Sequence, residues 1–239
     1  MDAQRLRLFP LKTVLFPGAA LNLHVFEARY RQMISECLAG GEAFGVVLIR
    51  DGDEADDPNV SPYDIGTTAQ ISEVTPLPSG RYYINTTGGR RFRIERVVSR
   101  DPFIVGEVAY LDDEAGERAA IDELNDEVRG EFREYMRLLV EFSGAPSEVS
   151  LPDDPVDASF LIGDALQVGD VMKQRLLELR STRQRLAVEL GFLRRLLPQL
   201  RRLLERKAAR PKPAVPSDAM KSDFRSAQER FFGKHFSVN

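Results

Sequence analysis

Residues 8–34, LFPLKTVLFPGAALNLHVFEARYRQMI, decide the fold, because two different hydrophobic periods follow one another within them. Leu21, Leu23 and Val25 alternate with polar neighbours, which is the period of a half-buried strand. From Phe26 onward the apolar residues recur at steps of three and four until Gly40-Gly41 ends the predicted helix. The apolar face of that helix consists of Phe26, Tyr30, Met33, Ile34, Cys37 and Leu38. This stretch predicts a strand that leads into a helix. Together with the strands and then the helices that follow along the chain, it predicts the α+β class.

Short apolar runs continue to about Leu111 and indicate further strands. The runs cover residues 44–49, 65–77, 81–87, 91–98 and 103–111. Gly88-Gly89 separates two of them, and we interpret this pair as a turn or bulge rather than a phosphate-binding loop, since no helix follows it. Residues 51–62 form a polar, acidic loop. Many short strands with one helix predict a small barrel or folded sheet.

The second part of the chain has the period of helices. Apolar residues at steps of three and four run from Ile121 to Phe142, and Gly144 and Pro146 end that helix. Asp154 before Pro155 predicts a capped helix through Leu166, and a further helix follows from Val171 to about Arg180. The sequence therefore predicts a helical bundle after the β-rich part.

The longest pattern is a heptad seam of leucines, which predicts a long packed helix. Its members are Leu186, Leu190, Leu193, Leu197, Leu200 and Leu204. Pro198 lies inside the seam and removes the hydrogen bond to the carbonyl of Arg194. We expect a kink or a split of the helix there, at a cost of about 3 kcal/mol.

The domain organisation follows from these patterns. We predict a β-rich domain over residues 1–115, a helical bundle over 116–210, and a linker and tail over 211–239. Pro211, Pro213 and Pro216 mark the linker, and the tail then carries four phenylalanines. These are Phe224, Phe231, Phe232 and Phe236. A segment so aromatic is untypical of a solvated tail, so we expect part of it to dock on something.

The net charge of −4 conceals a strong asymmetry. Residues 173–212 hold 13 Lys/Arg against 3 Asp/Glu, a charge of +10, so the rest of the chain carries −14. The candidate basic contact surface consists of Arg194, Arg195, Arg201, Arg202 and Arg206. Such a surface fits phosphates or an acidic partner, and nucleic acid is therefore an alternative partner. The other interpretation is a solvated helix face that the acidic stretch Asp112–Glu134 neutralises.

Catalytic chemistry lacks a recognisable signature here. There is no phosphate-binding loop with a glycine at the required spacing and no G-x-S-x-G elbow. With two histidines and one cysteine, a zinc site is implausible. We therefore predict no catalytic residue, no metal site and no cofactor. A hydrolase of unrecognised type remains an alternative, motivated by His24 near acidic residues.

The compartment is inferred from cysteine usage. Cys37 is the one cysteine and lies on the apolar face of the predicted helix, so we expect a core residue and no internal disulfide. No signal peptide is recognisable, and no apolar stretch is long enough to span a membrane. We expect a cytoplasmic protein without a membrane partner.

Several short motifs, in order along the chain, resemble the N-terminal domain family of Lon-type proteases. They are Phe9-Pro10-Leu11, Phe16-Pro17-Gly18, Leu21–Phe26, Glu27–Tyr30, Tyr63–Ala69, Leu77–Arg81, Gly88–Ile94, Lys173-Gln174, Leu177-Glu178 and Arg185-Leu186. Phe9 and Ser79 depart from the residues usual at their positions in that family. The resemblance implies a PUA-like pseudobarrel with one helix, followed by a helical bundle.

The resemblance also implies a function. A domain of this family binds segments of unfolded or client proteins, with a protease or chaperone as a further partner. The candidates for peptide contact, if they face outward, are Phe26, Tyr30, Tyr82, Tyr83 and Phe92. A full Lon protease continues into an ATPase and a protease domain, whereas this sequence ends at Asn239. We therefore expect a non-catalytic binding module.

Overall fold

The computed structural model describes residues 4–52, 60–114, 116–144 and 150–209. Most of the predicted acidic loop, Pro146 and the whole predicted tail lie outside the described residues. The strands are β1 (Gln4–Leu11), β2 (Ala20–Val25), β3 (Phe44–Asp51), β4 (Ser61–Pro62), β5 (Ile65–Leu77), β6 (Arg81–Ser99) and β7 (Ile104–Leu111). The helices are α1 (Ala28–Gly40), α2 (Arg118–Ser143), α3 (Pro155–Ala165), α4 (Asp170–Glu178) and α5 (Thr182–Ala209). The predicted α+β class and its order, strands first and helices second, are confirmed.

The strand pairings close into a barrel. Going round the circuit, β1 pairs with β7, β7 with β6, β6 with β5, β5 with β3, and β3 again with β1. The β1–β3 pairing is parallel and the other four are antiparallel. Strand β2 lies outside the circuit and pairs with the first half of β6. Each of the five barrel strands therefore has a neighbouring strand on both sides, and closure removes the free edges of an open sheet.

Phe92 fills the interior of the barrel between two glycines. A Cβ built on Gly45 would lie 2.6 Å from Cζ of Phe92, and one built on Gly66 would lie 2.9 Å from the same atom. The ring has no exposed surface. Glycine is therefore required at both positions, because any side chain there would collide with the ring.

The predicted break into two strands at Gly88-Gly89 is wrong, since β6 runs through both residues from Arg81 to Ser99. The bulge interpretation is confirmed, because the register with β5 shifts between the pairs Ala69–Gly88 and Thr67–Arg91. A Cβ on Gly88 would lie 2.1 Å from the carbonyl oxygen of Phe16, so the glycine permits close approach of another backbone. The amide of Gly18 donates to the carbonyl of Gly88, and the amide of Gly88 donates to that of Ala19, both at 2.8 Å. At Gly88, the backbone of β6 therefore packs directly against the backbone of residues 16–19.

Helix α1 packs its predicted apolar face on one side of the sheet. Tyr30, Met33, Ile34 and Cys37 are buried there, and the ring of Tyr30 stacks on that of Phe9 with centroids 4.0 Å apart. Gly41 ends the helix in the left-handed conformation at φ 63°. The prediction that Cys37 is a core residue is confirmed, and burial raises its thiol pKa to about 11.

The leucine seam of α5 faces the helical core. Five of its six leucines are buried, Leu204 is partly buried, and α2 is the helix that α5 contacts most extensively. The predicted split is wrong, because α5 continues through Pro198 as one helix, while a kink there stays a prediction. Pro198 is exposed, so the unbonded carbonyl of Arg194 lies on the solvent side of the helix. None of the helices among the described residues is both long and apolar enough to cross a bilayer.

The largest hydrophobic core joins the two parts of the chain. Val14, Phe16, Leu48 and Ile65 of the β-rich part belong to the same buried cluster as the apolar faces of α2 to α5. The Phe16 and Phe160 rings lie 6.4 Å apart across this boundary. The division into domains at residue 115 stays a prediction.

Candidate peptide-binding surface

The outer face of β2, β6 and β5 forms a three-stranded platform that continues outside the barrel. Strand β6 lies in the middle: His24 of β2 is directly opposite Tyr83, and Tyr83 is directly opposite Thr75 of β5. The neighbours of His24 along β2, Leu23 and Val25, point to the core. Because side chains alternate along a strand, His24, Tyr83 and Thr75 share the solvent side.

Three rings on this platform form an aromatic patch, defined here as His24, Phe26 and Tyr83. The His24 ring lies 4.7 Å from that of Tyr83 and 5.6 Å from that of Phe26, centroid to centroid. Phe26 is 57% exposed and Tyr83 is 52% exposed. These are the two most exposed large hydrophobic residues of the described part of the chain. An apolar ligand placed here would remove both rings from water.

A row of polar side chains borders the patch. Asn22 of β2 is opposite Asn85 of β6, and the Asn85 amide donates to a carboxylate oxygen of Glu73 at 2.7 Å. The hydroxyl of Ser72 donates to the carbonyl of Asn85 at 3.0 Å. Among the described residues, β2 pairs with β6 alone, so its other side has no neighbouring strand. The platform thus offers aromatic rings, polar groups and a strand edge together.

Only part of the predicted peptide-contact set faces outward. Phe26 and Tyr83 meet that condition and Tyr82 is half-buried. Tyr30 and Phe92 do not, because α1 packing covers the first and the barrel encloses the second. His24 was absent from the peptide-contact set. Its alternation with Leu23 and Val25 was the signal that could have placed it on the open face.

The geometry around His24 gives no support to the hydrolase alternative. The contacts of its ring are with the rings of Phe26 and Tyr83. Within the described ranges, no hydrogen-bonded set joins His24 to a serine and a carboxylate. The same ranges contain no group of three or more His, Cys, Asp and Glu side chains placed to hold a metal ion.

The basic surface of α5 lies against acidic side chains of α2. Arg194 forms an ion pair with Glu127, and Arg201 pairs with Glu134 at 3.2 Å. Hydrogen bonds from Arg137 and then from Arg201 lower the pKa of Glu134 to about 2. The guanidinium of Arg195 lies over the Phe192 ring at 5.1 Å, while Arg202 and Arg206 are exposed. Pairing of two of the five arginines favours the interpretation of a solvated, partly neutralised helix face.

A family model for the substrate-binding domain of ATP-dependent protease La (LON) matches residues 5–195. The chain belongs to the Lon substrate-binding domain family. The Lon protease of Flavobacterium johnsoniae is 26% identical over 79% of this chain and 24% of its own length. Lon protease 2 of Myxococcus xanthus is 27% identical over 80% of this chain and 24% of its own length. The chain therefore spans about a quarter of the curated relatives that it matches.

Solved structures agree with this Lon-type assignment. A Lon N-terminal domain protein from Xanthomonas campestris is 29% identical with a TM-score of 0.59, covering 79% of this chain and 98% of that one. The N-terminal domain of a Mycobacterium avium complex Lon protease has a TM-score of 0.58 over 80% of this chain and 98% of that one. At 18% identity, the second likeness shows the fold alone.

A buried polar cluster joins the two parts of this Lon-type domain. Arg91 donates to the carbonyls of Leu177 and Leu179 at 2.6 and 2.7 Å and to the Asp113 carboxylate at 3.0 Å. Arg185 donates to the other oxygen of Asp113 at 2.9 Å and lies over the Phe160 ring at 3.9 Å. We define Arg91, Asp113 and Arg185 as the junction cluster.

The boundary between the barrel and the helices, where the junction cluster lies, contains residues from the motifs that carry the family resemblance. Gln174, from one such motif, donates to the carbonyl of Ile65 at 3.0 Å and so links α4 to the barrel. Arg185 comes from another. The junction thus explains these motifs by packing rather than by ligand contact.

Proposed function

We propose that this chain is a non-catalytic module that binds extended segments of unfolded or client proteins on the platform of β2, β6 and β5. The observation that carries this proposal is the aromatic patch, in which Phe26 and Tyr83 are more than half exposed on one sheet face. Membership of the Lon substrate-binding family supports it, since binding of protein substrates is the property for which the family is named.

Burial of the patch supplies a physical driving force. Fully burying a phenylalanine-sized side chain contributes about 1.5–3 kcal/mol, so the exposed halves of Phe26 and Tyr83 offer about 1 kcal/mol each. Contact with an aromatic ligand side chain adds about 0.5–1.5 kcal/mol. These magnitudes fit weak, reversible binding of many sequences better than tight binding of one.

The strand edge and the polar row suit an extended ligand. A peptide that pairs with the outer side of β2 gains backbone hydrogen bonds, which do not depend on its sequence. Alternate side chains of that peptide would then point to the face that carries His24 and Asn22. Selectivity would come from the aromatic patch.

The wider role is also a proposal. The curated relatives are Lon proteases of about four times the matched length, so delivery of bound segments to a protease or chaperone is an extension of the module's own binding. A cytoplasmic location is proposed on the same footing, from the single cysteine. The nucleic-acid alternative is not favoured, because acidic residues of α2 pair with Arg194 and Arg201.

A binding experiment tests the proposal. The probe is fluorescein-labelled α-lactalbumin, reduced and carboxymethylated so that it stays unfolded, and the readout is fluorescence anisotropy. The comparison is made in the full chain with Phe224, Phe231, Phe232 and Phe236 replaced by serine, so that the tail offers no ring to the patch. In that protein we expect Phe26→Ala/Tyr83→Ala to weaken binding about thirtyfold, as loss of about 2 kcal/mol implies. Val188→Ala, at a residue 42% exposed on α5, is the matched control and should leave binding unchanged. Equal binding by all three proteins, or no binding at all, contradicts the proposal.

Salt separates this mode of binding from the electrostatic alternative. Binding through the aromatic patch should change little as the salt concentration rises, whereas phosphate contacts by arginines weaken steeply. A single-stranded oligonucleotide is the comparison probe. Tight, salt-sensitive binding of the oligonucleotide that Arg202→Ala/Arg206→Ala abolishes would instead favour nucleic acid.

A further inference from the structure

The C-terminal segment, residues 217–239, has a composition that the proposed function does not explain. It carries Phe224, Phe231, Phe232 and Phe236 among mostly polar residues. Residues 217–239 contain four Lys/Arg and three Asp/Glu, a charge of +1, so residues 1–216 carry −4 − 1 = −5. The segment is therefore both aromatic and opposite in charge to the rest of the molecule.

We propose that residues 217–239 of the same chain occupy the aromatic patch and compete there with client segments. This inference rests on the proposed function, because it assigns an internal competitor to the same surface. The patch supplies exposed rings, and the segment supplies the complementary rings on this chain. Docking of the two would remove apolar surface of both partners from water.

The alternation of residues within the segment fits the platform. In an extended conformation, Phe232, Lys234 and Phe236 project to one side, since side chains alternate along a strand. In that conformation, the rings of Phe232 and Phe236 would flank the ammonium group of Lys234. The platform presents the exposed rings of Phe26 and Tyr83. On β5 it also carries the carboxylate of Glu73, which accepts a hydrogen bond from Asn85. Aromatic and charged groups are thus complementary between the two surfaces.

The length of chain is sufficient for docking within one molecule. Phe232 lies 23 residues beyond Ala209, the last residue of α5, and an extended chain of that length spans roughly 75 Å. A folded body of about 200 residues has a radius of gyration of about 17 Å and is about 45 Å across. Every part of its surface, the aromatic patch included, therefore lies within reach.

Tethering makes even a weak contact effective. A ligand joined by a flexible linker experiences an effective concentration of about 1 mM. If the free segment bound with a Kd of about 0.1 mM, the tethered segment would occupy the patch about ten times out of eleven. The apparent affinity for a client segment would then fall about tenfold.

A tryptophan introduced into the segment tests the docking directly. The chain has no tryptophan, so Phe232→Trp gives a single reporter in the full chain. We expect its emission to be blue-shifted relative to the same protein in denaturant, and to shift to the red when Phe26→Ala/Tyr83→Ala is added. Val188→Ala, on α5, should leave the emission unchanged. Emission that does not respond to the patch substitutions overturns the proposal, and so does a blue shift that depends on protein concentration, which indicates exchange between two copies.

The unfolded lactalbumin probe tests the competition. In the full chain, replacing Phe224, Phe231, Phe232 and Phe236 with serine should raise the affinity for the probe about tenfold, whereas Met220→Ser should not. Equal affinity, together with an unresponsive tryptophan, contradicts docking of the segment and leaves the proposed function intact. Absence of probe binding by the four-serine protein, whose patch is open, contradicts the proposed function itself.

Discussion

At the scale of single residues, Glu189 is the most unusual group in the protein. It lies on α5 with no exposed surface, and neither carboxylate oxygen has a hydrogen-bond partner among the described residues. One oxygen lies 3.5 Å from the position of a Cβ built on Gly163. Burial raises its pKa well above the ordinary value, although the charge of Arg185 opposes that change. The protonated acid is therefore the form that the fold favours.

This preference predicts a pH dependence of stability. Above the ordinary pKa of 4.5 the unfolded chain loses the Glu189 proton while the folded protein keeps it. The free energy of unfolding should therefore fall with rising pH, by up to about 1.4 kcal/mol per unit, until the raised pKa of the folded state is passed. Glu189→Gln should remove this contribution, and urea unfolding at several pH values measures it. Glu205→Gln, at an exposed position of the same helix, is the control and should keep the slope of the unmodified protein.

The same substitution at two adjacent aspartates should have effects of very different size. Asp113 is 17% exposed and pairs with both Arg91 and Arg185, whereas Asp112 is 82% exposed and pairs with Arg90 on the surface. Asp113→Asn should lower the free energy of unfolding by about 3–5 kcal/mol, because two buried guanidinium groups lose their counter-charge. Asp112→Asn should cost at most about 1 kcal/mol. Urea unfolding of both variants gives the comparison, and similar losses would show that the junction cluster is not stabilising.

At the scale of elements, α5 contains a residue that disfavours a helix, Pro198, yet packing of the leucine seam keeps the helix continuous. The leucine seam buries one face along the whole helix, and this burial outweighs the lost hydrogen bond at Pro198. Pro198→Ala should therefore stabilise the protein, by about 2 kcal/mol, since alanine restores the donor to the exposed carbonyl of Arg194. Gly191→Ala is the matched control at a helix position with free space, and about 1 kcal/mol is expected there. Chemical denaturation measures both, and destabilisation by Pro198→Ala would mean that the ring makes a needed contact.

The elements were largely predictable because most of them follow one hydrophobic period. The α5 seam and the α1 face lie where their spacing put them, and Asp154 caps α3 as expected, accepting from the amide of Val156 at 2.8 Å. The length of β6 could not be predicted, because Gly88-Gly89 has the composition of a turn. Gly88 is required because the carbonyl of Phe16 lies against it. This is a contact between distant parts of the sequence, and a local pattern of residues does not contain it.

The candidate site was predictable only in part, for a similar reason. Aromatic residues in strands are equally suited to a core and to a binding face, and only the barrel closure decides between them. Phe92 therefore lies inside the barrel, whereas Tyr83, nine residues earlier on the same strand, lies outside it. Arg91 likewise pairs with Asp113 at the junction, 22 residues further along the chain, and a local pattern does not contain this contact.

At the scale of the whole molecule, the shared core decides how the two parts unfold. Phe16 and Ile65 of the β-rich part are buried in the same cluster as the helices, and the junction cluster crosses the same boundary. Interfaces between separate domains of one chain are usually more polar than a shared core. Parting these two would expose aromatic rings and unpaired guanidinium groups, which is costly.

We therefore expect a single cooperative unfolding transition for the described body. Far-UV circular dichroism, dominated by the helices, and hydrogen exchange of the β6 amides should report the same urea midpoint. Phe16→Ala should lower the free energy of unfolding by about 3–5 kcal/mol, because it leaves a cavity against Phe160 and Gly163. The urea midpoint should fall equally in both measurements. Two separate midpoints, with the substitution affecting one alone, would instead indicate independent domains on either side of residue 115.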